Sequence, residues 1–508
     1  MDNNQRFSPA GGLTRRDLLK LGGAAGLGSL VGGRMAAAPK SPPNIVFVFP
    51  DQQRNASWPG GGDPQVRTPN LDRMAREGAA FNHCLSTYPL CSPYRASLLT
   101  GRYPQATTIT YNVGQNRGGL PTTEVTIADL LKKAGYATGY VGKWHLYPGA
   151  PEGKLVPAGP HRHGFDYWRV CHNYRLRYDT RCFDDAGKEF VLPDYAPKCQ
   201  MDMTLEFIEK NARRPFCVFL SWHPPHAPYN EAPQRFVDMY RAETLKLRPN
   251  VPAQGDLRRI REAYVGYFSH VSAMDEEMGR LMKKLAGLGI ADNTIVCYSS
   301  DHGDMLGSFD LWAKQKPWEE SINVPFIIRW PAGIPAGRRL DHLFSTPDIT
   351  PTLLGLAGIP LLPRMQGTDL SAALRGKEMA GPESAFIMAR GAGAEDPEAE
   401  GQAARRKAKK AAKAARNFGE WRGVRTQQHT YVRWLDGAEE LYDNLDDPLQ
   451  FRNLFDGRNA PAVMGRLRSR LNDLLKEAHD EFLPGTRYGE WFTPERNLVR
   501  TALVPVKT

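Results

Sequence analysis

Apolar residues along this chain gather into runs that end abruptly in charged or polar groups. Asn44-Ile45-Val46-Phe47-Val48-Phe49 is almost continuously apolar, then breaks into Pro50-Asp51-Gln52-Gln53-Arg54. A run of that kind fits a central parallel strand buried on both faces. Tyr136 to His145 predicts a second strand running into a polar tip, Lys143-Trp144-His145. Phe216 to Trp222 predicts a third, ending in His223-Pro224-Pro225-His226-Ala227-Pro228, and Thr294 to Ser300 a fourth, ending in Asp301-His302-Gly303-Asp304. Phe326 to Trp330 is a fifth. Ligands in open α/β sheets bind at the carboxyl ends of strands, so the repeated polar endings predict one site along one sheet edge.

Helical spacing appears between these runs. Thr68 to Met74 reads as a capped helix that Ala75 to Phe81 completes. A buried helix begins at Cys91, Ile127 to Ala134 is amphipathic, and Arg258 to Leu288 carries apolar residues at helical intervals. Leu146 to Cys199 is rich in Pro, Gly, His, Arg and Tyr and predicts a long irregular excursion. Near the end, Trp421–Arg425, Thr430–Trp434 and Glu440–Asp443 alternate like short antiparallel strands, and Ala462 to Phe482 closes the chain as a helix. The expected fold is α/β: a large mixed, mostly parallel sheet sandwiched by helices, followed by a smaller C-terminal α+β subdomain. The expected divisions are 1–38 as a targeting segment, 43–390 as the catalytic part, 391–417 as a charged insertion and 418–508 as the C-terminal subdomain.

Composition changes this picture little. The 508 residues, 41% of them hydrophobic, suffice for a large core, and the formal net charge is +11. A basic surface attracts anionic substrates or polymers, but part of the excess sits in Arg405-Arg406-Lys407-Ala408-Lys409-Lys410. That run has no interleaved aromatic residues, so nucleic acid is not an expected partner. Thr14-Arg15-Arg16-Asp17-Leu18-Leu19-Lys20 precedes a Gly/Ala/Leu run and then Met35-Ala36-Ala37-Ala38, a small-residue cleavage site. The paired arginines predict twin-arginine export of an already folded protein to the periplasm or beyond. In an exported protein, two of Cys171, Cys182 and Cys199 are candidates to pair, and the sequence leaves open which.

The sharpest chemistry lies in Leu90-Cys91-Ser92-Pro93-Tyr94-Arg95-Ala96-Ser97-Leu98-Leu99-Thr100-Gly101-Arg102. A thiol at a helix N-terminus sits in a positive field, and the following Arg95 adds to it, so Cys91 is a candidate reactive group. This stretch resembles the sulfatase signature Cys-x-Pro-x-Arg followed by Thr-Gly-Arg. From about Pro43 to Phe482 the order of motifs is similar to a type I sulfatase of the alkaline phosphatase superfamily. The matching pieces are Asp51, Cys91 to Arg95, Gly142-Lys143-Trp144-His145, Pro225-His226, Ser300-Asp301-His302-Gly303, and Lys314 ahead of Trp318-Glu319-Glu320.

The resemblance implies that Cys91 is oxidised to formylglycine by a maturation enzyme, and that its hydrate is the nucleophile for a sulfate ester. It implies a divalent cation at Asp51, Gln52, Cys91, Asp301 and His302. Calcium suits the oxygen-rich set. Gln52 departs from the family, where a second acidic residue is common, and with the His302 imidazole this leaves manganese open. Arg95 would hold the formylglycine, Lys143 and His145 would flank it with His145 as base, and His226 and Lys314 would contact the sulfate and leaving oxygen, one of them as acid. The family pattern favours His226, which follows Pro225 and precedes Ala227-Pro228, over His223, and it favours Lys314 over Lys316 by its spacing to Glu319. The implied substrate is a sulfated carbohydrate. The runner-up is a phosphonate monoester or phosphodiester hydrolase, and a silent polysaccharide-binding relative is a third reading.

Overall fold

The computed structural model describes residues 41–390 and 419–500, apart from the short stretches 115–117, 150–152, 172–176, 456–460 and 494–498. The predicted targeting segment and the predicted charged insertion lie outside the described residues. Among the described residues, no helix is long and apolar enough to cross a membrane.

The strand predicted from Asn44 is β1, Asn44–Asp51, buried along its whole length. It lies at the centre of a large mixed sheet. In chain order the other strands are β2 (Ala79–Leu85), β3 (Ala137–Gly142), β4 (Tyr167–Cys171), β5 (Arg181–Phe183), β6 (Glu189–Val191), β7 (Phe216–Pro225), β8 (Thr294–Tyr298), β9 (Asn323–Val324), β10 (Ile327–Arg329) and β11 (Arg338–Ser345). Across the sheet they run β11-β2-β10-β8-β1-β7-β3-β4-β5-β6, with β9 beside β2. The neighbours β8, β1, β7, β3 and β4 are parallel, so their carboxyl ends lie together.

Alternation along β1 explains why helices cover both faces. Ile45, Phe47 and Phe49 pack on one side with Leu98, Ile127, Ile349 and Leu353. Val46 and Val48 pack on the other with Tyr264, Tyr267, Phe268 and Met274, all from the long helix Leu257–Gly287. Successive side chains of a strand point to opposite faces, so a continuous apolar run feeds two cores at once.

Several elements differ from the sequence reading. The helix α1 spans Pro69–Glu77 only; it stops at Gly78, and Ala79 begins β2 instead of completing the helix. Gly78 is packed so closely that a Cβ there would lie 2.2 Å from the Ile328 carbonyl oxygen. The excursion after Leu146 is partly regular: it supplies β4, β5 and β6, which extend the sheet. Cys171 of β4 and Cys182 of β5 face each other and form a disulfide, while Cys199 stays a buried thiol.

A second, four-stranded antiparallel sheet contains β12 (Ala385–Ala389), β13 (Trp421–Arg425), β14 (His429–Trp434) and β15 (Glu439–Asp443). Its edge strand β12 lies ahead of residue 390. The helix Val463–Glu477 buries Met464, Leu467, Leu471 and Leu474 against this sheet. The same cluster takes in Leu85, Tyr88 and Leu90, which join β2 to the segment preceding Cys91. The Met388 N–H donates to the Thr87 carbonyl at 2.8 Å, tying the small sheet to that segment.

Candidate active site

Cys91 is the first residue of helix α2, Cys91–Thr100, every residue of which is buried. Pro93 falls in the first turn, where the missing N–H has no intrahelical partner to lose. Gly101 ends the helix in the left-handed region at φ 67°, and its N–H closes on the Ser97 carbonyl. The Cys91 sulfur is thereby aimed at the ends of β1 and β8.

Around that sulfur the predicted residues converge. Sγ lies 3.5 Å from Asp51 Oδ2, 3.4 Å from His302 Nε2 and 3.6 Å from Lys314 Nζ. His302 Nε2 is 3.4 Å from Asp51 and 3.5 Å from Asp301. One ligand atom from each of Asp51, Cys91, Asp301 and His302 falls within 4.8 Å of the others, in a wholly buried cluster. His302 Nδ1 is 3.0 Å from the Gly303 carbonyl, so Nδ1 carries the proton and Nε2 faces the carboxylates. Two buried carboxylates, an imidazole nitrogen aimed at both and the nearby Gln52 amide oxygen form a donor set that fits a divalent cation.

Arg95 braces this cluster from behind. Its Nη2 donates to Asp301 at 3.1 Å and lies 3.7 Å from Asp51. Its Nη1 donates to Ser221 Oγ at 2.6 Å and to the Lys143 carbonyl at 2.7 Å. Lys143 Nζ donates to Asp51. It reaches there because β3 turns at Gly142, φ 97°, where a Cβ would lie 2.0 Å from the Ser221 carbonyl oxygen.

The electrostatics follow from burial and these cations. Burial pushes the Asp51 carboxyl up, but Lys143, Lys314, His226 and His302 together hold it well below the usual carboxylate range. Asp301 is raised by burial and by the charge of Asp51. For Cys91, burial and Asp51 oppose ionisation, yet Lys143, Lys314 and the His302 bond win and bring the thiol down to about 6. His145 is held well below its ordinary value by burial and by Lys143 and Arg95. Burial and Lys314 do the same to His226. Burial opposes the charge on Lys314, while Cys91 and Asp51 more than restore it.

All the predicted residues lie in or beside this cluster. His226 donates its backbone N–H to the Asp51 carbonyl at 3.1 Å, and its Nδ1 is 2.8 Å from the Ala227 carbonyl oxygen. His145 lies beside α2, its carbonyl accepting from Ser92 Oγ at 2.7 Å. Three further residues belong to the site. His223 stacks on His226 with ring centroids 4.7 Å apart. Arg177 is buried, donates to His223 Nδ1 at 2.6 Å and also bonds the His226 carbonyl. Asp304 bonds Gln52 Nε2 at 2.6 Å. Asp304 stands inside a quoted motif, whereas Arg177 sits in the excursion with no local pattern to mark it.

The family model described as Sulfatase matches residues 43–359. Over 451 residues the chain is 38% identical to the Ulvan-active sulfatase of Formosa agariphila, covering 87% of this chain and 82% of that protein. It is 30% identical over 490 residues to the Endo-4-O-sulfatase of Bacteroides thetaiotaomicron, covering 86% and 92%. A solved structure from work on the metabolism of multiple glycosaminoglycans by Bacteroides thetaiotaomicron superposes with a TM-score of 0.76 at 29% identity, covering 90% of this chain and 99% of that one.

Proposed function

The chain belongs to the sulfatase family and is a sulfuric ester hydrolase, and from that premise we propose that it removes sulfate from a sulfated carbohydrate, using a formylglycine formed at Cys91 and one divalent cation. The observation that carries this reading is the position of Cys91 Sγ, between the Asp51 carboxylate and the Lys314 ammonium. A carbohydrate substrate is supported by the names of the relatives, one active on ulvan and another an endo-4-O-sulfatase. The net charge of +11 suits an anionic polymer.

A sulfate ester is an anion, and an anionic nucleophile approaching its sulfur is repelled. The cation would offset that charge, and the aldehyde hydrate at position 91 would supply the attacking oxygen. Asp51, Gln52, Asp301 and His302 would hold the cation, and calcium suits their oxygen atoms best. Arg95 fixes residue 91 and Asp301 in one frame through its bonds to Ser221 and the Lys143 carbonyl. Lys143 keeps Asp51 ionised. His145, held neutral by burial and two neighbouring cations, would act as the base once the negative charge of the bound ester offsets those cations. Lys314 keeps its proton and faces the sulfate. His226 is neutral until an anionic ester arrives, whose charge raises its pKa and equips it to protonate the leaving oxygen.

We also propose export to the periplasm or beyond by the twin-arginine route, after a formylglycine-generating enzyme has acted; residues 14–20 support this. Sequencing the N-terminus of exported protein tests it, with a start near Ala38 expected.

The deciding experiment joins two measurements on metal-replete protein from a host able to make formylglycine. One is the mass of the peptide containing Cys91, the other sulfate release from a panel of sulfated saccharides. An aldehyde or its hydrate at Cys91 together with sulfate release is expected. Sulfate release from material carrying only an intact thiol would overturn the proposal. A phosphonate monoester presents a similar anionic group, and a clear preference for aryl phosphonate over aryl sulfate would move the assignment to that chemistry.

A further inference from the structure

Gln52 stands where sulfatases often place a second acid, and its surroundings account for the amide. Its backbone N–H donates to Asp301 Oδ1 at 2.9 Å, and its carbonyl accepts from the Tyr267 hydroxyl at 2.6 Å. Its φ is 76°, a left-handed conformation that these bonds hold in place. The side chain is clamped at both ends: Nε2 donates to Asp304 Oδ2 at 2.6 Å, and Oε1 accepts from Lys314 Nζ at 2.8 Å.

Asp304 is fully buried, and its carboxylate is met by donors on both oxygens. Oδ1 accepts from the N–H groups of Leu306 and Ala313, both at 2.9 Å. Oδ2 accepts from Gln52 Nε2 and, at 2.5 Å, from the Tyr229 hydroxyl. The two backbone bonds close a loop in which Leu306, Phe309, Asp310 and Ala313 all have positive φ, and Lys314 follows directly. That loop delivers Lys314. One carboxylate therefore holds both the Gln52 amide and the segment carrying the ammonium that faces it.

We propose that Asp304 is the positioning residue that sets which way the Gln52 amide faces, and that Gln52 and Asp304 form a matched donor–acceptor pair that presents the amide oxygen toward Lys314 and the cation. The inference rests on the reading that a divalent cation is held at Asp51, Gln52, Asp301 and His302. An acceptor-only group at 304 demands a donor at 52. Glutamate at 52 would set two carboxylates against each other in a buried site. Asparagine at 304 would set one NH₂ group against another, so the Gln52 amide turns over and offers nitrogen to Lys314 and the cation. The double variant Q52E/D304N restores complementarity. Its new amide at position 304 keeps an oxygen on the Leu306 and Ala313 N–H groups, while the NH₂ donates to the new carboxylate at position 52 and to the Tyr229 hydroxyl.

The test uses the full chain with D304N, Q52E and Q52E/D304N, read in two ways. Thermal unfolding in chelator is expected to fall for each single variant and to return toward the parent in the double. Calorimetric titration of the metal-stripped proteins with Ca²⁺ and with Mn²⁺ is expected to show binding at least tenfold weaker in D304N and within threefold of the parent in the double. Parent-like affinity in D304N, or a double variant that loses the sum of the two singles, overturns the proposal. If D304N fails to fold, recovery of a folded double variant supports the pairing and its failure overturns it. A parent protein that takes up neither cation removes the metal reading, while the unfolding cycle in chelator still decides the pairing.

Discussion

Arg95 offers the sharpest test of how the site is held together. Replacing it with methionine keeps the length of the buried stem and deletes the guanidinium. Four bonds within hydrogen-bonding distance disappear, to Asp301, Ser221, the Lys143 carbonyl and the Tyr140 hydroxyl, as does the 3.7 Å ion pair with Asp51. Asp301 then keeps the Gln52 N–H and the His302 ring as polar neighbours, in a fully buried position. Removing one partner of a buried ion pair costs about 3–5 kcal/mol, because the other charge is left without compensation. The cost depends on pH in a definite direction. Burial and Asp51 already raise the Asp301 pKa, and losing the guanidinium raises it further. A carboxyl whose pKa is raised on folding is tolerated while protonated, so the penalty is small in acid and grows as pH rises through the shifted value. Urea unfolding of parent and R95M, followed by tryptophan fluorescence in chelator at acidic pH and at pH 8, measures both magnitude and slope. Saturating divalent cation should shrink the gap. A variant within about 1 kcal/mol of the parent at alkaline pH, where a cost of about 3 kcal/mol or more is expected, would refute the claim that Arg95 compensates the buried carboxylates.

The unconverted thiol gives a second test. In metal-free protein its pKa of about 6 means that alkylation by a small haloacetamide should rise through that pH, well below the ordinary 9.0, and K314M should move the midpoint upward. A midpoint unchanged in K314M would show that the ammonium does not act on the sulfur. For turnover, H226A should lower kcat by about 10²–10⁴-fold if the imidazole transfers a proton. The loss should be much smaller on an aryl sulfate with a good leaving group, and equal losses on good and poor leaving groups would remove His226 from that role.

The central strands were legible because they are buried on both faces. Ile45 to Phe49 feeds two cores, so the run is unbroken and its polar end at Asp51 is conspicuous. The edges lacked that mark. In β11 only Leu340, Leu343, Phe344 and Ser345 are buried, and its Arg, Asp and His positions hide the strand. β2 follows α1 after a single residue, Gly78, so its apolar residues extend the helical count until the break is seen in three dimensions. β12 pairs with β13 across the interval after residue 390, a partnership that local pattern does not encode. The site divides in the same way. Cys91, Asp51 and Asp301 lie in short motifs at strand or helix ends. The bond between Gln52 and Asp304 spans 252 positions, and Arg177 reaches His223 from a segment without periodicity.

The tie between the small sheet and the approach to Cys91 has a consequence for biosynthesis. Tyr88, three residues ahead of the sulfur, exchanges hydrogen bonds with Arg390, 302 positions further along. At a translation rate of about 5–20 residues per second, that distant anchor leaves the ribosome roughly 15–60 s after the segment it restrains. During that interval the emerging polypeptide presents its cysteine without the clasp that later secures it, and the enzyme proposed to oxidise Cys91 would have a time limit set by the arrival of the chain's final quarter.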